Sequence, residues 1–209
     1  MIRLAIVVEG ETEEEFVKRV LTAHLQAREV QATPHSIGGN VTVERLAYEM
    51  ANYFWSYDRV TSLVDFYGFR NKGQASREDL EARIHEQVSK NIKRSWDRSR
   101  VFPYVQQYEF EGLLFSDVMV FGKLLDRPPN LVEKLRAVRS RFPTPEEIND
   151  NKETKPSRRI KDLMPSYQKR VDGHLLAGSI GLATLRTECP RFGRWLARLE
   201  QLENQQHPQ

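Results

Sequence analysis

Five acidic residues are the ones whose type and placement best suit chemistry. Glu9 closes the apolar run Ile2 to Val8, and Asp65 closes Val60-Thr61-Ser62-Leu63-Val64. Glu109 and Glu111 lie in Tyr108-Glu109-Phe110-Glu111-Gly112-Leu113-Leu114-Phe115, just after a further apolar stretch, and Glu13 follows Glu9 by one helical turn. Crowded carboxylates repel and raise one another's pKa unless a cation compensates. An all-oxygen set suits Mg²⁺ or Mn²⁺, whereas Zn²⁺ would usually bring His or Cys. The histidines at 24, 35, 85, 174 and 207 show no paired ligand spacing, so a hard cation is expected. Ordinary roles compete with this reading. Acids at a helix start, such as Glu11, Glu13, Glu14 and Glu15, suit the macrodipole, and a lone Asp at a strand end is often a turn or cap. Glu109 and Glu111 are two apart and cannot share a helix face, so at most one ligates unless that stretch is extended. Agreement of three separate strand ends favours a site.

The elements that would position these acids alternate in period. Residues 2–8 predict a strand buried on both faces. Thr12, with Glu15 three residues on, predicts a capping box, followed by Phe16, Val17, Val20, Leu21 and Leu25 at helical spacing. A strand over 30–37 precedes Gly38-Gly39-Asn40. A helix over 42–56, a strand over 60–65, an exposed, charge-laced helix over 76–94 and a strand over 101–107 complete a mostly parallel, helix-covered sheet. In such a sheet ligands bind beyond the carboxyl ends of the strands, where Glu9 and Asp65 fall.

Past residue 120, Pro128-Pro129, Pro143, Pro145, Pro156 and Pro165 divide the chain into short helices, and basic residues gather from Arg136 to Arg170. The division expected is a 1–120 α/β core with the metal site, a 121–200 basic helical appendage packed on it, and a 201–209 polar tail. The helix from Cys189-Pro190 to Leu199-Glu200 should turn Trp195 and Leu196 inward. The 209 residues carry 32 Lys and Arg against 29 Asp and Glu, a net charge of +3, with a sequence pI near 9; a polyanionic partner is permitted but not required. No apolar run approaches the roughly 20 residues that span a bilayer. A lone Cys189 makes no internal disulfide, which fits a cytoplasmic setting.

Glu9-Gly10-Glu11-Thr12-Glu13-Glu14-Glu15-Phe16 after an apolar strand resembles the glutamate motif of Toprim domains, and Val64-Asp65-Phe66-Tyr67-Gly68 resembles their aspartate-bearing strand end. Nearly the whole chain is similar to a Toprim-like bacterial family, the domain-of-unknown-function-4276 family. Tyr108 to Glu111 with Leu113-Leu114-Phe115-Ser116-Asp117, Pro156-Ser157-Arg158-Arg159-Ile160, Pro165-Ser166-Tyr167-Gln168-Lys169, and Cys189-Pro190-Arg191-Phe192 with Trp195-Leu196 carry that similarity. The resemblance implies a Toprim/Rossmann-like α/β fold with a C-terminal helical appendage, related to the nucleases of overcoming-lysogenisation-defect proteins. It implies Glu9 as ligand or proton shuttle, Glu13, Asp65 and Glu111 as further site carboxylates, and an Asp-x-Asp motif from which this chain departs, position 67 being Tyr. Glu109 is the residue that would replace the missing carboxylate.

The function expected is metal-dependent phosphodiester hydrolysis on DNA or RNA, with Mg²⁺ or Mn²⁺ on Glu9, Glu13, Asp65, Glu109 and Glu111. One of Arg158, Arg159 or Lys169 would face the developing oxyanion, and Arg158, Arg159, Lys161 and Lys169 would hold the nucleic-acid backbone. Two alternatives stay open: a non-catalytic nucleic-acid-binding or regulatory subunit with a degenerate site, and primase-like nucleotidyl transfer. The chain has no Gly-x-x-x-x-Gly-Lys-Ser/Thr loop, so any nucleotide-driven step falls to a separate ATPase subunit, which the resemblance places in phage defence or mobile elements. No membrane partner is expected, and oligomeric assembly is left open.

Overall fold

The structure is a computed structural model that describes residues 1–125, 128–149 and 154–202. Most of the tail expected over 201–209 therefore lies outside the described residues. The first strand, β1 (Ile2–Val8), leads into α1 (Glu11–Phe16), a π-helical turn (Val17–Leu21) and α2 (Thr22–Gln26). Then come β2 (Val30–Ser36), α3 (Val43–Phe54), β3 (Arg59–Asp65) and α4 (Arg77–Ile92). Two short strands, β4 (Val101–Phe102) and β5 (Val105–Gln106), precede a 3₁₀ segment, Phe110–Ser116. The helices α5 (Met119–Leu125), α6 (Pro129–Arg139), α7 (Pro156–Leu163), α8 (Lys169–Ile180), α9 (Leu182–Glu188) and α10 (Pro190–Glu200) finish the chain.

All strand pairs are parallel, in the order β2-β1-β3-β4 with β5 also beside β3. From β1 the chain crosses to β2 on one side and later returns to β3 on the other. The crevice where this order reverses opens between the carboxyl ends of β1 and β3. Side-chain alternation sorts the two faces. Ile2, Leu4, Ile6 and Val8 pack with Phe16, Leu21, Phe110, Phe192 and Trp195. Ala5 and Val7 pack with Leu46, Met50 and Phe54 of α3 and Leu80, Ile84 and Val88 of α4. Each such fully buried Leu, Ile or Phe contributes about 1.5–3 kcal/mol. Trp195 and Leu196 do turn inward.

Three expectations are corrected. The first helix is capped by Gly10, not Thr12: the Glu13 carboxylate accepts from the Gly10 N–H at 3.2 Å. Thr12 lies inside the first turn, where its buried side chain meets α8. The single strand over 101–107 is two strands, because Pro103 has no N–H to give a ladder. Instead the Ser62 hydroxyl donates to the Tyr104 carbonyl at 2.9 Å and accepts from its N–H at 3.0 Å. The helix α4 is charge-laced but not simply exposed, since Leu80, Ile84, Val88 and Ile92 form a buried stripe.

Candidate active site

Glu9 leaves β1 as the chain turns into α1. Its Oε2 accepts from the Asp65 N–H at 3.2 Å, which joins the ends of β1 and β3. The carboxylate lies flat against Gly68, where a Cβ would stand 2.1 Å from Oε2. Asp65 ends β3, 4% exposed, and its Oδ1 accepts from the Phe110 N–H at 2.7 Å. That bond fixes the start of the 3₁₀ segment and brings Glu111, fully buried, toward the same point. Glu13, 2% exposed, is held by its bond back to Gly10.

Lys169, the first residue of α8, reaches into this group. Its Nζ stands 3.2 Å from Asp65 Oδ2, 3.2 Å from Glu111 Oε2 and 3.7 Å from Glu13 Oε1. The helix can approach because Gly173, one turn on, has no side chain; a Cβ there would lie 2.9 Å from the Thr12 methyl. Burial lifts the pKa of Glu9, Glu13, Asp65 and Glu111, Asp65 well above the usual range, and neighbouring carboxylates add to the lift. Burial works to lower Lys169, but Asp65, Glu111 and Glu13 outweigh it and hold the ammonium well above its ordinary value. Three carboxylates thus share one ammonium. Glu13 Oε1 and both Glu111 oxygens are buried and poorly satisfied, Lys169 Nζ being 3.7 Å from the first and 3.2 Å from Glu111 Oε2.

These residues fit a hard cation: the donors are all oxygen, and three of the oxygens are buried with spare lone pairs. Among the described residues no three acidic, His or Cys side chains already stand in ligating geometry; Lys169 lies between Glu13, Asp65 and Glu111. A cavity of about 460 Å³ adjoins the group, lined by Glu9, Glu13, Gly38, Gly39, Lys169 and Arg170. Arg170 pairs with Glu11 at 3.1 Å on its rim.

Glu109 takes another direction. Its Oε2 accepts from the Ser157 N–H at 2.9 Å, and its Oε1 from the Ser157 hydroxyl at 3.0 Å and Lys155 Nζ at 2.7 Å. It therefore caps α7 from a distance. Tyr67, at which the chain departs from the Asp-x-Asp pattern, stacks on Tyr108 at 5.6 Å. Tyr108 itself holds a left-handed φ of 58°, which costs a side-chain-bearing residue about 1–2 kcal/mol. Of the basic residues expected at the site, only Lys169 enters it. Arg158 pairs with Asp162 at 2.9 Å on the surface. Arg159 donates to the Thr154 carbonyl and lies over the Phe142 ring, and Lys161 is exposed.

Sequence reasoning passed over four participants. Gly68 and Gly173 make the close approaches, Lys155 engages Glu109, and Tyr167 carries a buried, unpaired hydroxyl. Burial, and then Glu111, push that hydroxyl's pKa well up. A glycine three residues after a strand-end acid is a readable sign of close packing; the others left no local signal.

A parallel α/β sheet with buried carboxylates and a lysine at its switch point defines the class of this protein. The chain belongs to the family described as Domain of unknown function (DUF4276), whose model matches residues 8–200. Two solved structures of the C-terminal region of the OLD protein of Xanthomonas campestris pv. campestris are similar to it. The one phased with mercury is 16% identical over 93% of this chain and 96% of that chain, with a TM-score of 0.44. The one phased with platinum is 17% identical over 99% and 98%, with a TM-score of 0.43. No curated protein matches the chain. Among the described residues no helix is long and apolar enough to cross a membrane.

Proposed function

We propose that the protein hydrolyses phosphodiester bonds of nucleic acid with the help of Mg²⁺ or Mn²⁺. The observation that carries this reading is the meeting of Glu9, Glu13, Asp65 and Glu111, from three strand ends, with oxygens left unpaired in a buried place. These four residues would hold the ion. A divalent ion supplies Lewis acidity and lowers the pKa of water. The chain's own part is positional. Glu9, accepting from the Asp65 N–H, and Asp65, accepting from the Phe110 N–H, fix the spacing of the donors across the crevice. Lys169 Nζ, displaced from the carboxylates as the ion enters, would offer its charge to the phosphate oxygen that gains charge.

Plasmid DNA and RNA incubated with Mn²⁺ or Mg²⁺ test this. Cleavage should fall at least about 100-fold in Glu9→Gln and Asp65→Asn, a loss typical of an electrostatic catalytic group. Cleavage that persists in EDTA and in both variants would sink the proposal. One observation favours a second reading, a regulatory subunit with a degenerate site: Lys169 already supplies the cation that the carboxylates need. Calorimetry with Mn²⁺ separates the two, since the subunit reading requires no heat of metal binding alongside intact complex formation with a separate ATPase.

A further inference from the structure

At the β4 edge of the sheet, a cleft of about 220 Å³ lies between α4 and α10. Its floor is aromatic: Phe102, Tyr104 and Trp195, the last two stacked with ring centroids 4.8 Å apart. Its walls are arginine. Arg191, Arg194 and Arg198 recur at i, i+3 and i+7 and so share one face of α10, and Arg77 faces them from α4. Glu81 also lines the cleft, but it is spent: it pairs with Arg77 at 2.6 Å and accepts from the Val105 N–H at 2.9 Å. The charge of Arg191 is felt by Glu78 and Glu146, but among the described residues no carboxylate pairs with the guanidinium of Arg194 or Arg198. Arg198 is nonetheless held in place, its guanidinium 4.0 Å from the Phe102 ring centroid.

Two guanidiniums on one helix face without a carboxylate partner, one of them preset on an aromatic ring, form a surface ready for an anion. Guanidinium forks match phosphate oxygens in pairs. The cleft is too shallow and polar-walled for an apolar ligand, and its charge needs more than one anionic group. We propose that it binds the phosphates of a polynucleotide, as a second contact apart from the carboxylate site. Through Thr61, whose hydroxyl accepts from Trp195 Nε1 at 3.0 Å, the cleft connects to β3 four residues before Asp65. This inference shares with the proposed function only the polynucleotide itself.

Fluorescence anisotropy of a labelled 20-nucleotide strand in EDTA tests it, because no cleavage or metal enters the reading. Arg194→Gln with Arg198→Gln should weaken binding about tenfold or more at low salt and flatten the log–log salt dependence by about 1.4, two single-strand phosphate contacts. Arg194→Lys should recover most of the affinity. Lys134→Gln, an exposed charge on α6 outside both this cleft and the carboxylate site, should bind as the wild type does, and an assay without metal or cleavage separates loss of this cleft from failure of the catalytic proposal. Arg194→Gln alone, at an exposed position, guards against misfolding and should lose part of the affinity and slope. Unchanged affinity and slope in the Gln variants would overturn the assignment. So would a second pattern, in which inorganic phosphate binding by calorimetry falls while the strand binds normally, since the cleft would then serve a small phosphate.

Discussion

The Glu9 carboxylate rests where a Gly68 side chain would be, and this contact ties a catalytic proposal to a single missing methyl. With a Cβ 2.1 Å from Oε2, Gly68→Ala forces Glu9 away from the Asp65 N–H. The fold should survive at a cost of about 1–3 kcal/mol, the usual range for overpacking. Manganese affinity by calorimetry should fall with it; wild-type affinity in a folded Gly68→Ala protein would show that Glu9 is not a ligand. Lys169 makes the opposite test. Its ammonium competes with any divalent ion for Glu13, Asp65 and Glu111. Lys169→Gln should therefore bind Mn²⁺ more tightly yet cleave more slowly, and a loss of both would assign Lys169 a merely structural role.

Buried glutamates at the scale of elements do work that sequence spacing does not announce. Glu109 caps α7, and Glu146 caps α10 by accepting from the Arg191 N–H at 2.8 Å and the Phe192 N–H at 3.0 Å. Either partner is more than 40 residues away, so no local window shows it. Glu200 pins three helices: it bonds His24 of α2 at 2.5 Å and Arg186 of α9 from its own place in α10. Burial pushes its pKa up, but the bonds from His24 and Arg186 prevail and hold it below the usual glutamate range. A depressed pKa means stability present above the unfolded value of about 4.3 and lost as pH falls through the folded one. Screened by solvent, the group is worth about 1 kcal/mol. Urea midpoints should place Glu200→Gln below wild type at pH 7 and bring the two together in acid; a gap that persists there would point to packing. The strand β1 was legible because burial on both faces leaves a nearly continuous apolar run, broken only by Arg3, and β3 because its β-branched and apolar residues close on a carboxylate. Pro103 and Gly10 misled for related reasons, each altering backbone hydrogen bonding without disturbing the hydrophobic pattern.

Across the whole molecule, the site depends on two regions that the sequence separates. Glu9, Asp65 and Glu111 were legible as strand-end acids and Lys169 as one of three basic candidates beside Arg158 and Arg159; which of the three enters was not legible, because only the packing of α8 on α1 decides it. One hydrophobic cluster runs from Ile2 in β1 to Leu202 beyond α10, so the boundary near residue 120 passes through a shared core. Trp195 sits at that seam, stacked on Tyr104 and donating to Thr61 of β3. Trp195→Ala should cost about 3–5 kcal/mol as a large buried aromatic. If sheet and C-terminal helices unfold as one cooperative unit, hydrogen exchange should show the amides of β1 and α10 losing protection by the same free energy. Wild-type protection in β1 beside weakened protection in α10 would divide the molecule into two units. It would also mean that Lys169 can leave the carboxylates without unfolding the sheet that carries them.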